Sequence, residues 1–122
     1  MACIAIIIPT YNEGPTIGSL LRRIEGAVNE RLLFIVIDDG STDDTNEQLR
    51  IFQPAPGNQK RIVVMTRNFG HQVSIMTGLA QVPPEVGVVV VMDGLDAAAH
   101  RERNEELVRD GSHEVEIRTP AV

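Results

Sequence analysis

Four short runs of wholly apolar residues constrain this chain most: CIAIII at 3–8, LLFIVI at 32–37, IVVM at 62–65 and GVVVVM at 87–92. Each is bounded by turn-forming residues and shows no polar alternation, the pattern of a strand buried on both faces. The stretches between them carry helical spacing. Ile17, Leu20, Leu21, Ile24 and Val28 recur along residues 15–29, with Pro15 and Thr16 suited to a first turn. Residues 43–52 predict a second helix, and 71–80, with Val73, Ile75, Met76 and Leu79, a third that Pro83 and Pro84 stop. A charged helix is expected over 98–109, and the tail from Gly111 has no clear period. Four βα units of this kind predict an α/β fold of three layers: a mostly parallel, Rossmann-like sheet with helices on both faces and right-handed crossovers. In the strand order 3-2-1-4 the winding reverses between the first and fourth strands. The ligand crevice is then expected at their carboxyl ends.

Polar clusters follow the strands at that rim. Asp38 and Asp39 close the second run, Thr10-Tyr11-Asn12-Glu13 the first and Asp93-Gly94-Leu95-Asp96 the fourth. Asp38 or Asp39 reads either as a ligand contact or as a cap of the next helix, for which Ser41, Thr42 and Asp43 also stand ready, with Glu47 one turn on. The glycine-rich phosphate fingerprints of dinucleotide-binding and P-loop proteins are absent. An acidic rim suits hydrogen bonding to a base and ribose, with a divalent cation, Mg²⁺ or Mn²⁺, neutralising a diphosphate. Asp93 and Asp96 are the carboxylates available to it.

Composition narrows the partners. The 122 residues make one domain at most, and with one Tyr, three Phe and no Trp its core must be aliphatic. A net charge of −6 argues against nucleic acid, and Arg22-Arg23 and Lys60-Arg61 read as solvated faces. The single Cys3 excludes an internal disulfide and suits a reducing cytosol. No apolar run reaches the roughly 18 residues of a membrane span, and no basic leader precedes the first, so a soluble, cytoplasmic chain is expected. There is no His/Cys cluster for zinc; His71 reads as a helix start and Phe69 as core.

IPTYNE at 8–13, VIDDGSTDDT at 36–45, RNFG at 67–70 and VVVMD at 89–93 together resemble the start of a family 2 glycosyltransferase of the GT-A fold. The RNFG segment resembles the polyprenyl-phosphate sugar transferases of the dolichol-phosphate mannose synthase type. The resemblance covers residues 4–93 and implies that Pro9, Tyr11, Glu13 and Asp39 contact the base and ribose of a nucleotide-sugar, with Ile37 lining the base site. Replacing Asp39 is then expected to weaken binding and leave folding nearly intact. Asp93 would open the family's D-x-D motif, which binds diphosphate and metal. Arg67 reads as a solvated charge or as a contact to a diphosphate or acceptor phosphate, since the guanidinium fork suits phosphate. Where the family continues roughly M-D-A-D-L-Q-x-P-P-E, this chain places Leu95 at the second aspartate, and residues 97–122 diverge. Either Asp96 takes over through a turn at Gly94 or a ligand is lost. The implied function is donor binding for inverting transfer of a sugar to an acceptor such as a polyprenyl phosphate, at the cytoplasmic face of a membrane. The alternative is a truncated, catalytically inactive nucleotide-binding or interaction module. The fourth strand, free of proline and charge, is expected to form a sheet edge that pairs with another copy, giving a homo-oligomer.

Overall fold

The apolar runs pair into one parallel sheet in a computed structural model that describes residues 3–92. Along the chain lie β1 (Cys3–Thr10), α1 (Gly14–Ala27), β2 (Arg31–Asp38), α2 (Thr45–Ile51), β3 (Gln59–Val64), α3 (His71–Ala80) and β4 (Val88–Val91). The strand order is β3-β2-β1-β4, as expected, with Ile7 opposite Ile35 on one side and Val91 on the other. The 98–109 helix, Asp93 and Asp96 lie outside the described residues.

Alternation along β1 and β2 splits the core into two layers. Ile6, Ile8, Phe34 and Val36 pack with Ile17, Leu21 and Ile24 of α1 and Leu49 of α2. Ala5, Ile7, Ile35 and Ile37 turn the other way, toward Leu79 of α3. Because both faces are covered, every residue of β2 from Leu32 to Asp38 is buried. Each aliphatic side chain so placed contributes about 1.5–3 kcal/mol relative to exposure.

Three elements depart from the sequence expectation for identifiable reasons. β1 runs on through Pro9 to Thr10, two residues past the expected 3–8. The carbonyls of Thr10 and Ile7 accept from Asp39 N–H and Met92 N–H respectively, so alternate residues bond opposite neighbours and Pro9 faces the β4 side. β4 pairs only as far as Ile7, so the missing proline N–H leaves no ladder bond unmade. β3 starts at Gln59 rather than 62, with Gln59 and Arg61 exposed as a solvated face and Lys60 half-buried. Lys60 Nζ donates to the carbonyls of Leu49, Arg50 and Phe52 at 2.6–2.8 Å, closing the carboxyl end of α2, and Arg61 donates to Gln81. Arg22 is likewise engaged, pairing with Glu25 at 2.8 Å and lying over the Phe52 ring. α3 packs Leu79 on the sheet but leaves two of its other apolar residues outside. It buries Ser74 and Gly78, whereas Val73 and Met76 face outward. A Cβ at residue 78 would stand 2.5 Å from Ile7 Cγ2, so glycine lets this helix lie close on the sheet.

Candidate functional site

Three loops leave the carboxyl ends of β1, β2 and β3 and are bonded into one unit. Asn12, in the left-handed region at φ +52°, is the clasp between the first two. Its Oδ1 accepts from Thr42 N–H at 2.8 Å and Asp43 N–H at 3.3 Å, and its own N–H donates to Ser41 Oγ. Asn tolerates that backbone region better than other side-chain-bearing residues because its short amide bonds locally. Glu13 N–H donates to Thr45 Oγ1, and Asp43 accepts from Gly14 N–H and from both the N–H and hydroxyl of Thr45. Asp43 therefore satisfies the start of α2 and fastens it to the start of α1 at once. The first of those bonds needs Gly14, since a Cβ there would fall 2.0 Å from Asp44 Oδ1. Asn12 was not singled out in the sequence; its signal is that an Asn beside the Tyr-Glu pair must supply the turn's positive φ.

The second and third loops are joined by Asp39. Its side chain is buried, with Oδ1 accepting from Phe69 N–H at 2.8 Å and Oδ2 from Gly70 N–H at 3.0 Å. Asp38, buried as well, accepts from Ser41 N–H within its own loop. Neither aspartate caps α2. Asp39 instead serves the turn ahead of α3, which gives it a structural duty that the expectation of nearly intact folding without it did not include. Gly40, at φ +76°, packs so closely on the Arg67-Asn68 backbone that a Cβ would sit 2.5 Å from Arg67 carbonyl carbon.

The structure thus gathers Pro9, Tyr11, Glu13, Asp39 and Arg67 at one rim. Tyr11 is 44% exposed and available for stacking. Arg67 is exposed, its guanidinium 4.4 Å from the centre of the Phe69 ring. Phe69 is 39% exposed and not a core residue, because the Asp39 bonds hold its backbone out at the rim. Ile37 is placed differently: its side chain is fully buried in the layer beneath α3. Burial lifts the Glu13 carboxyl to about 7, against a lowering bond from Tyr11 N–H and with the Asp43 charge adding to the rise. The bonds from Thr45 and Gly14 hold Asp43 below the ordinary carboxylate range. Two neighbouring acids are thereby driven to different protonation states near neutrality.

Among the described residues no group of three His, Cys, Asp or Glu side chains is arranged to hold a metal ion. Met92, the last described residue, is buried and donates to Ile7 O at 2.8 Å, which brings β4 to the rim beside Pro9. No described helix is long and apolar enough to cross a membrane. A groove of about 660 Å³ between α1 and α2, lined by Gly18, Arg22, Gln48 and Phe52, holds no carboxylate and belongs to the helical layer, not to the strand ends.

Known proteins share the fold. The model of glycosyl transferase family 2 matches residues 5–110. The undecaprenyl-phosphate 4-deoxy-4-formamido-L-arabinose transferase of Pseudomonas savastanoi pv. phaseolicola is 34% identical over 93 residues, which are 74% of this chain and 28% of the relative. That of Klebsiella pneumoniae subsp. pneumoniae is 31% identical over the same shares. This chain therefore spans little more than a quarter of the length of these curated relatives. Among solved structures, the mannosyltransferase of Pyrobaculum calidifontis in complex with GDP-Man and Mn²⁺ superposes with a TM-score of 0.66 at 25% identity, over 85% of this chain and 32% of that one. Residues 1-349 of S. aureus TarS in complex with UDP, at 19% identity and a TM-score of 0.61 over 93% of this chain and 33% of that one, share the fold. A family match over most of the chain, on a sheet of order 3-2-1-4 with its polar loops bonded together at the strand ends, places the chain in glycosyl transferase family 2.

Proposed function

We propose that this chain binds a nucleotide-sugar at the joined rim of β1, β2 and β3 and presents it for inverting transfer of the sugar to a polyprenyl phosphate. The observation that carries this is the bonded loop assembly: Asn12 clasps the 41–43 loop, and Asp39 clasps the 67–70 loop, so the side chains that would read the nucleotide are fixed before it arrives. Such preorganisation lowers the ordering cost of binding. Relatives that act on undecaprenyl phosphate, and a neighbour that holds GDP-Man with Mn²⁺, support the substrate classes.

In this reading the exposed Tyr11 ring stacks on or borders the base. The Asp39 oxygens, each with a lone pair left after bonding Phe69 and Gly70, accept from base or ribose. Glu13, protonated below about pH 7, can donate to a ribose oxygen. Pro9 closes the floor beside β4. The acceptor phosphate attacks the anomeric carbon from the face opposite the departing nucleoside diphosphate, forming the new C–O bond as the old one breaks. An acceptor oxygen that is already ionised needs no general base. Asp93 with Asp96 offers the hard carboxylate oxygens that a Mg²⁺ or Mn²⁺ ion takes. Such an ion, when bound, stabilises the charge of the leaving diphosphate. Leu95, standing where the resemblance expects the second aspartate, favours a second reading, nucleotide binding without transfer.

Calorimetry with GDP and UDP, with and without Mn²⁺, beside a transfer assay to a short polyprenyl phosphate, tests both. Nucleoside diphosphate affinity that tightens with Mn²⁺, loses that gain in Asp93→Ala and is accompanied by transfer bears the proposal out. Binding with no transfer supports the second reading. No binding at millimolar nucleotide overturns both.

A further inference from the structure

The sheet carries a second concavity at the end opposite the rim. It has a volume of about 190 Å³ and opens at the amino ends of β1, β2 and β3, on the side of the sheet that α3 covers. Its floor is apolar: Leu33 and Val86 are buried there, and Cys3 is half-buried beside them in the same layer. Its walls are charged. Arg31 stands two residues before Leu33 on β2 and Arg61 two before Val63 on β3, so the period of two sends both side chains to the face that those apolar residues occupy. The stem of Arg31 runs 3.9 Å from where a Cβ on Gly57 would stand, and Arg61 is held by a 2.7 Å bond from Nη1 to the Gln81 carbonyl at the end of α3. Glu85 is the one carboxylate among the described residues that line the pocket. None of these side chains takes part in the loop assembly at the rim, which lies about 25 Å away along the eight residues of β1 at roughly 3.3 Å each.

We propose that this pocket binds a small carboxylate, with its anionic head on the guanidiniums of Arg31 and Arg61 and a short apolar body on Leu33 and Val86. A guanidinium presents several N–H donors in a planar fork, so the bond to Gln81 leaves Arg61 others with which to take up a carboxylate. Two guanidiniums against the Glu85 carboxylate leave one positive charge, which a carboxylate neutralises. A phosphate monoester, at about −1.5 to −2, would exceed it. The volume admits about six groups of water size at ~30 Å³ each, the bulk of a short-chain acid. A bare inorganic anion would gain nothing from the apolar floor, which is the part of a small-molecule site that supplies most of its contact. Lying so far from the strand ends, the pocket can be filled together with the nucleotide site.

Cys3 is the chain's single thiol and lines the pocket, so its alkylation reports occupancy. The full chain is labelled with iodoacetamide in the presence of isovalerate, of isoamyl alcohol as its uncharged counterpart, or of inorganic phosphate, at equal ionic strength, and the rate is read by mass spectrometry. Isovalerate is expected to slow labelling saturably, with half-protection at about millimolar concentration, the range open to so few atoms, and to shift the Leu33 and Val86 methyl resonances in step. Isoamyl alcohol and phosphate should protect roughly tenfold or more weakly, and Arg31→Gln and Arg61→Gln should each weaken protection by isovalerate about tenfold. The comparison of ligands on the unmodified chain decides the matter even where a variant loses its fold. Isovalerate that leaves the labelling rate and both methyls unmoved at tens of millimolar overturns the proposal. Equal protection by isoamyl alcohol overturns it in favour of a purely apolar cleft, and equal protection by phosphate in favour of an anion site with no need of an apolar body.

Discussion

Asp39 accepts two main-chain hydrogen bonds across a sequence distance of about thirty residues, so its replacement tests folding and binding together. An amide in its place keeps one acceptor and turns an N–H₂ toward a backbone donor. Asp39→Asn should therefore destabilise the fold by about 1.5–3 kcal/mol, the range for hydrogen bonds to a charged group, and weaken nucleoside diphosphate binding as well. Urea denaturation beside calorimetry checks both; a variant as stable as the parent would remove the clasp. Glu13 gives a pH prediction. Its folded-state value of about 7 lies above the ordinary 4.5, so its neutral form stabilises the fold. That contribution is complete below pH 4.5 and is lost as the pH rises through about 7. At roughly 1.4 kcal/mol per unit, reduced for partial solvent access, the loss is on the order of 1–3 kcal/mol. Glu13→Gln should hence gain stability over the parent at pH 8 and lose that advantage at pH 4; a difference between the two proteins that does not vary with pH would contradict it.

At the scale of elements, α2 shows how a short helix is kept. Its seven residues are too few to be stable alone, and both ends are satisfied from outside. Asp43 accepts at the amino end and Lys60 of β3 donates to three carbonyls at the other. Burial lowers the Lys60 ammonium's affinity for its proton, and the three carbonyls replace the lost water. Lys60→Met keeps the aliphatic stem and removes the donors, and should cost about 1–3 kcal/mol, lowering Tm by several degrees in a domain of this size. A melting curve read at 222 nm measures it, and an unchanged Tm would show the carbonyls equally well served by water. Glu25 does similar work at the far end of the sheet. Burial raises it, but bonds from Asn58, Ala55 N–H and Arg22 prevail and hold it below its ordinary range. Through Asn58 Oδ1, which accepts from Leu32 N–H, it fixes the 53–58 loop against the start of β2.

For the whole molecule, β4 is the outer strand of the described sheet, and Val88–Val91 carries neither proline nor charge. An edge of that kind pairs readily with another chain. The chain of 13.4 kDa is accordingly expected to form a homodimer or larger assembly through β4. Light scattering over a range of concentrations decides it: a monomer persisting at high concentration would mean that the β4 edge is covered.

Parallel topology, strand order and the rim that carries the polar clusters were all legible in the sequence, because strands buried on both faces must be apolar throughout and right-handed crossovers leave few arrangements. The family resemblance rests on local motifs and was legible for the same reason: IPTYNE, DDGSTDDT and RNFG are each contiguous. What the tertiary structure alone decided are the pairings over long sequence distances. Asn12 joins the 41–43 loop, Asp39 the turn before α3, and Lys60 the end of α2. Hydropathy could not orient α3 either, since apolar residues lie on more than one side of it. The close approach that Gly78 permits to Ile7 decides which side faces the sheet, and it leaves Val73 and Met76 on the surface.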